Sequence, residues 1–346
     1  MIEVIFLLLL ILLCLLIWFF LFPVRFVGNA DRGAHLLDPP DVFIYSYVLH
    51  IHTQFSYDSL GKPEDVIRAR DRCGIDYVIV TDHDNDTIKG FADDRLIAGR
   101  EVKLNDEEGN LLGDLLEVGE LRVIAHHFRG KYRWRLEKRR DYLFELIDLR
   151  DALLEHKARL VLYILISLLL YPLLGKRLVR NFTKLIDTGL YTKRFFEEGW
   201  RSKVVAGLDH HVKLYLREVR KRLMIPDYET SFSMVRNFVI SRERVESKED
   251  LLKAIKEGTN LISFSEKPSF VWVEDRSIKV YSPFSNTYMV LLSEEGAVGE
   301  SIGSNAKFSQ LRNDFYMVLG YTYALKVGRL LFGVRPLFVS DLLEVS

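Results

Sequence analysis

Apolar residues follow three rhythms along this chain. Residues 4–22 form an unbroken run of nineteen without a charge, a glycine or a proline. As a helix rising about 1.5 Å per residue, such a run measures roughly 28 Å, close to the hydrocarbon thickness of a bilayer. Farther on, short apolar runs at 42–49, 77–80, 121–125 and 203–207 read as buried strands. Between the first two, Pro63 suits a first helical position, Val66, Ala69 and Cys73 share one face, and Gly74 suits the stop. That pattern predicts strand, crossover helix, parallel strand, and hence an α/β architecture. Ser247-Lys248-Glu249-Asp250 predicts another helix start, with Leu251, Leu252 and Ile255 inward, Gly258 as its end and a strand at 261–264. From about Pro268 short strands recur between turns, at 270–273, 278–281, 288–291, 315–318 and 337–339, the spacing of a small β-sandwich. We therefore expect an anchor at 1–24, an α/β body at 25–266 and a C-terminal β-sandwich domain at 267–346.

The first run reads as an uncleaved transmembrane helix. A cleaved secretory peptide would have a basic start and small residues before the cut, whereas this one opens Met1-Ile2-Glu3 and closes on Trp18-Phe19-Phe20-Leu21-Phe22. Arg25 and Arg32 follow the helix while Glu3 precedes it, so the positive-inside tendency favours a cytoplasmic body over one on the outer face of the cell membrane. The stretch 160–174 is short for a crossing, contains Pro172, and lies between Lys157 and Arg159 on one side and Lys176, Arg177 and Arg180 on the other. Within an insertion around 157–180, it is expected to lie on or dip into the membrane beside the anchor; a buried helix and a true span are the alternatives.

Composition adds limits. The 346 residues carry 48 Lys+Arg against 48 Asp+Glu, with 28% charged and 12% aromatic, so the chain has material for a core of about two domains and is not a disordered scaffold. Neutral net charge argues against nucleic acid as the main partner. The two cysteines, Cys14 and Cys73, make no disulfide framework. One local basic segment, 129–140, holds seven Lys or Arg around Tyr132 and Trp134. It reads first as a solvated face; as a binding surface it favours membrane lipid over nucleic acid, because the apolar stretches already bring this part of the chain to a bilayer.

The nine histidines are unevenly placed. Seven fall in four places, His50 and His52, His83, His126 and His127, and His210 and His211, each just after a predicted strand. Polar residues at the C-terminal ends of strands are how α/β barrels and open α/β sheets build sites. Carboxylates stand close in sequence: Asp58 after His52, Asp82 before His83, Asp209 before His211. Imidazole with carboxylate suits zinc, manganese or iron rather than calcium or magnesium. On a strand, residues two apart share a side, so His50 and His52 can hold one ion together.

These strings resemble a known family. Leu49-His50-Ile51-His52-Thr53-Gln54-Phe55-Ser56-Tyr57-Asp58-Ser59 is similar to the first motif of the PHP (polymerase and histidinol phosphatase) superfamily. Val80-Thr81-Asp82-His83, Gly99-Arg100-Glu101-Val102, Ile124-Ala125-His126 and Gly207-Leu208-Asp209-His210-His211 resemble the four that follow, in family order. The resemblance implies a distorted (β/α)7 barrel that binds two or three divalent ions and hydrolyses phosphate esters or related bonds with a metal-activated water. Carried over, it gives His50, His52, Glu101 and Asp209 to one ion, Glu101 and His126 to a second, and Asp58, His83 and His211 to a third. Glu101, His126 and Asp209 become the candidate catalytic residues, and Asp82 a support behind the ligands. The paired β domain resembles the carbaryl-hydrolase-like branch.

One departure stands out. Where the family usually has Gly-His after the glutamate, this chain has Gly109-Asn110, which puts the second ion in question unless His127 replaces the ligand. His210 occupies a variable position and is expected to be exposed on the rim. The expected function is a membrane-anchored metal-dependent hydrolase, foremost a phosphoesterase, acting on a small-molecule or lipid-borne phosphate ester. The competing expectation, motivated by Asn110, is a membrane-tethered metal-binding regulatory module with weak or lost catalysis.

Overall fold

The structure is a computed structural model that describes residues 2–28, 30–32, 37, 40–218 and 221–346. Helix α1 (Ile2–Leu21) is the long apolar run; its outer two thirds are exposed, and only its last turns touch the body. Phe19 is fully buried there, the Lys184 ammonium donates to the carbonyls of Phe19 and Phe20, and Gly333 N–H donates to Leu21 O. A lysine on the free carbonyls of a helix end satisfies acceptors the helix cannot. The next residues, Val24–Phe26, pair with Leu330–Phe332, so the chain just past α1 is built into the C-terminal region.

Seven strands then lie side by side in chain order: β1 (Phe43–Val48), β2 (Tyr77–His83), β3 (Leu96–Asn105), β4 (Leu111–Val118), β5 (Leu121–Ala125), β6 (Leu143–Asp148) and β7 (Val204–Gly207). Pairing is parallel from β1 to β3 and from β5 to β7, while β4 is antiparallel to both neighbours. Six strands therefore point the same way and share one rim for their C-terminal ends. Helix α2 (Pro63–Arg72) makes the first crossover where the sequence predicts it. Alternate residues divide between two cores: Val78, Val80, Ile124 and Val204 face one, and Ile79, Val123, Ala125 and Val205 the other. Both faces of the strands are thus covered, as parallel sheets require.

The end strands of this run meet. Leu208 N–H donates to Leu49 O at 3.0 Å, and His52 N–H donates to His210 O at 3.0 Å. Below that contact, Asn237 serves as a side-chain substitute for a strand: its amide donates to Ala206 O and accepts from Ala206 N–H, each at 2.8 Å. Asn237 belongs to a strand, Arg236–Ser241, that runs antiparallel to β1.

From there one sheet continues without a break through Thr259–Ser263, Arg335–Ser340, Asp314–Thr322 and Thr287–Ser293. The short C-terminal strands therefore form one layer with the body's sheet. A second layer of three strands packs Val271, Ile278, Val280 and Ala306 against Met289, Leu291, Val318 and Phe338. The expected boundary at 266/267 crosses this shared sheet, because Leu261, Ile262 and Ser263 pair directly with Ser340, Val339 and Phe338.

The insertion begins with the short helix α3 (Leu149–Leu154), directly after β6, and continues as α4 (Lys157–Leu174). Only Tyr163 and Ile166 of α4 are buried, which excludes the buried-helix alternative. Tyr163 packs on Trp18 and Phe19 of α1, with ring centroids 5.4 and 4.8 Å apart. Both ends of α4 return to the body, one through α3 to β6 and the other through an ion pair of Lys176 with Glu229 at 2.6 Å. By length and composition alone, α1 and α4 are both apolar enough to cross a membrane.

Asn237→Ala should leave the buried N–H and C=O of Ala206 without partners and lower the unfolding free energy by about 2–4 kcal/mol. Urea titration of the full chain in detergent, followed by circular dichroism, measures this.

Candidate metal centre

The rim carries an unusual backbone. His50, His126 and Asp209, at the ends of β1, β5 and β7, have φ of 63°, 53° and 42°. Residues with a side chain rarely adopt this left-handed region, at a cost of about 1–3 kcal/mol each, and such strain gathers at functional sites. Here it recurs at equivalent strand ends whose side chains converge.

Glu101, on β3, lies at the centre. Its Oε2 is 3.0 Å from His83 Nδ1, 3.3 Å from His52 Nε2 and 3.5 Å from His50 Nε2, while its Oε1 is 3.4 Å from His126 Nε2. Asp209 Oδ1 is 3.5 Å from His52 Nε2 and 3.1 Å from His211 Nδ1. Asp58 Oδ1 is 3.0 Å from His211 Nε2 and 3.6 Å from His83 Nε2. The structure thus brings together all eight residues singled out by the sequence as ligands. Sets able to hold an ion include His50, His52 and Glu101; His50, His126 and Asp209; and His52, His83 and His211, the donor atoms within each set lying within 4.8 Å of one another.

The donor atoms fit divalent metal. His50 Nε2, His52 Nε2, His211 Nε2, Asp58 Oδ1 and Glu101 Oε2 are all buried and make no hydrogen bond. Buried polar atoms without hydrogen-bond partners are rare, and five of them gathered in one region suit a shared ligand. Clustered groups able to coordinate several ions are therefore present.

Charge points the same way. Burial alone would push the His50 and His126 rings toward neutrality, yet Glu145 and Glu101 around His50, and Asp148, Asp151 and Glu101 around His126, hold both pKa values well above the usual imidazole range. Burial, reinforced by Glu145, lifts the Asp148 carboxyl well above its ordinary value. His52, where burial prevails, is pushed down and stays neutral. The shifts at His50, His126 and Asp148 all favour the protonated form of the group.

Several supports were not visible as site residues in the sequence. Glu145, on β6, accepts from His126 N–H at 3.0 Å and lies 2.6 Å from His50 Nδ1, which leaves His50 Nε2 facing the cluster. Gly207 makes room for it, since a Cβ there would come 1.7 Å from Glu145 Oε1. Asp148 and Asp151 flank His126 Nδ1 at 3.4 and 2.9 Å, and Arg150 donates to Asp209 Oδ2 at 2.7 Å. The signal available was a strand-to-helix junction, Glu145 to Asp151, dense in carboxylates but without histidine. Asp82 faces away from the cluster and accepts from Thr53 N–H, the Thr53 hydroxyl and the Ser56 hydroxyl at 2.6–2.8 Å, which fixes the first-motif loop.

Other expectations change. Asn110 lies in the exposed turn between β3 and β4 and donates to Asp106, so its identity has no bearing on the cluster. Asp114, farther along β4, is the carboxylate that enters the body. It is buried, and burial together with the field of Glu101 lifts its pKa to about 6. Its sequence signal was a single charge within the apolar run Leu111-Leu112-Gly113-Asp114-Leu115-Leu116. His127 does not substitute as a ligand: its Nε2 is 2.7 Å from Glu198 Oε2, and its Nδ1 accepts from Trp134 N–H. His210 is buried rather than exposed, bonded to Ser231 Oγ at 2.6 Å and packed on Tyr228. Trp134 is a core residue and offers no stacking ring, while Arg129, Arg133 and Arg139 pair with Asp151, Glu198 and Asp141.

No protein-family model matches the chain, and no curated protein sequence is similar to it. Among solved structures, a two-domain protein from Bacteroides vulgatus, described as containing a predicted PHP-like metal-dependent phosphoesterase, aligns over 92% of this chain and 100% of that chain. The identity is 12% and the TM-score 0.35. A likeness of that degree has no bearing on what this site does.

Because a bound divalent ion displaces the protons held by His50, His126 and Asp148, adding manganese or zinc to the full chain in weak buffer at neutral pH should release about one to two protons per chain. A pH electrode reads this directly. Glu145→Gln removes the charge that orients His50 and should weaken metal affinity about 10- to 100-fold in a chelator competition.

Proposed function

We propose that this chain is a membrane-anchored, metal-dependent hydrolase that acts foremost on phosphate esters. The observation that carries the reading is the set of buried imidazole and carboxylate atoms without hydrogen-bond partners, gathered at one rim of a parallel sheet. We take the seven strands, joined end to end by the bonds from Leu208, His52 and Asn237, as a closed PHP-type barrel. In this reading His50, His52, Glu101 and Asp209 hold one ion, Glu101 and His126 a second, with Asp148, Asp151 and Asp114 nearby, and Asp58, His83 and His211 a third. Zinc, manganese or iron suits these donors. Such ions supply the charge that acidifies a water and offsets the charge growing on phosphoryl oxygens.

The chain's own groups supply position and further charge. Glu101 faces four imidazoles at once and fixes the spacing of the donor sets. Arg150 beside Asp209 and Lys213 beside Asp58 place partly exposed cations at the mouth, suited to the non-bridging oxygens of an anionic ester. In hydrolysis the water oxygen forms a bond to phosphorus as the ester P–O bond breaks, and the leaving alkoxide takes up a proton.

The membrane part of the reading rests on α1 and α4. Docking of Phe19 and pairing of Val24–Phe26 with Leu330–Phe332 favour a retained anchor over a cleaved leader. Because both ends of α4 return to the body, we place that helix in the membrane interface beside the anchor. The asymmetry of Arg25 and Arg32 against Glu3 favours a cytoplasmic body. The units 1–24, 25–266 and 267–346 serve in turn as anchor, hydrolase and packing domain.

The full chain in detergent, loaded with manganese or zinc, should hydrolyse at least one of a panel of phosphomonoesters, phosphodiesters and carboxyl esters. Asp209→Ala and His52→Ala should each abolish that turnover while circular dichroism stays unchanged. No metal-dependent turnover of any ester by a folded, metal-loaded chain would overturn the reading.

A further inference from the structure

A two-stranded hairpin, Leu214–Glu218 paired with Lys221–Ile225, follows directly after the site residue His211. Residues two apart on a strand share a face, and here the register places Leu214 opposite Ile225 and Leu216 opposite Leu223. All four are exposed, by 41–51%. Tyr215 and Met224, on the opposite face, pack against the core. The hairpin thus has an inner face that fixes it and an outer face of four aliphatic side chains in water. Monomeric proteins seldom leave such a patch without a use.

Its position narrows the occupant. At the base of the hairpin, Lys213 pairs with Asp58, and Leu60 N–H donates to Val212 O, so the apolar face begins at the mouth of the metal centre. At the same base, where Ile225 lies opposite Leu214, the chain leaves the hairpin through Pro226 and Asp227 to Glu229, which holds Lys176 just beyond α4. Tyr228, beside Glu229, donates to His52 O at 2.8 Å. Helix α4 follows the short α3, which is capped by Asp148 of the cluster. One end of the exposed apolar helix is thus joined through α3 to the strand that carries Asp148, and the other through Lys176 and Glu229 to the segment that leaves the base of the hairpin. The partly exposed Lys213 stands at the start of the hairpin, and α4 is bordered by Lys157, Arg159, Lys176 and Arg177. Aliphatic faces bordered by cations match a bilayer that contains anionic lipid.

We propose that the 214–225 hairpin docks on the surface of an anionic bilayer together with α4, and that the metal centre thereby acts on a lipid-borne phosphate ester. The inference rests on the phosphoesterase reading of the site and adds the source of its substrate. The tie of the hairpin's base to the exposed apolar helix α4 through Glu229 and Lys176 selects the bilayer over a protein partner or a second copy of the chain.

Two measurements test it on the full chain reconstituted into phosphatidylcholine vesicles. With phosphatidic acid and phosphatidylglycerol added as lipid substrates and p-nitrophenyl phosphate as the soluble one, the double variant Leu216→Asp, Leu223→Asp should lose about tenfold or more of its lipid turnover and keep its soluble turnover. Equal loss on both substrates, or loss on neither, overturns the proposal. Independently of catalysis, Leu216→Trp should add emission that brominated phosphatidylcholine quenches beyond the quenching of the unaltered chain. An unquenched added signal overturns docking even if the chain is an active hydrolase; quenching without turnover of any ester keeps the docking surface but removes the phosphoesterase reading and its lipid substrate.

Discussion

Negative charge gathered and buried at the C-terminal ends of the strands is the constraint on which the rest depends. Glu101, Glu145, Asp148 and Asp209 are almost fully removed from water within a few ångströms of one another's histidine partners. Carboxylates at that depth need positive charge, and the only protein cation bonded directly to Asp209 among the described residues is Arg150 at the edge. Protons on His50 and His126 offset part of the deficit, and divalent ions can offset it more completely. The left-handed turns at His50, His126 and Asp209, the room left by Gly207 and the bracing of the first-motif loop by Asp82 all hold the donors where that compensation is possible.

Much of this was legible in the sequence because it depended on local rules. Runs of β-branched residues fixed the first, second, fifth and seventh strands, and histidines at their ends pointed to one rim. What stayed hidden depended on tertiary contact. Strand β3 carries the exposed charges Arg100 and Lys103, and β4 carries the half-buried Glu117, so their apolar pattern was broken. Glu145 and Asp148 looked like ordinary acidic residues until β6 placed them behind His50 and His126. The misplaced weight on Asn110 had the same origin: its turn projects into water, whereas Asp114 on the same hairpin faces inward. Spacing along the chain does not show which of two nearby residues faces the core.

The apolar segments show a similar limit. Composition marks both α1 and α4 as membrane-compatible, but only the return of α4 to Glu229 distinguishes a helix that lies along the body from one that leaves it. The same contact joins α4, through Glu229 and its neighbour Tyr228, to the carbonyl of His52 beside the cluster.

The central claim is that the buried cluster is a multinuclear metal centre, and metal stoichiometry tests it most directly. The full chain, purified in detergent, loaded with manganese or zinc and separated from free ion by gel filtration, should retain two or three ions per chain by elemental analysis. Asp209→Ala, which removes a donor assigned to the first ion, should retain fewer. Retention of no ion, or of a single ion unaffected by Asp209→Ala, would contradict the account.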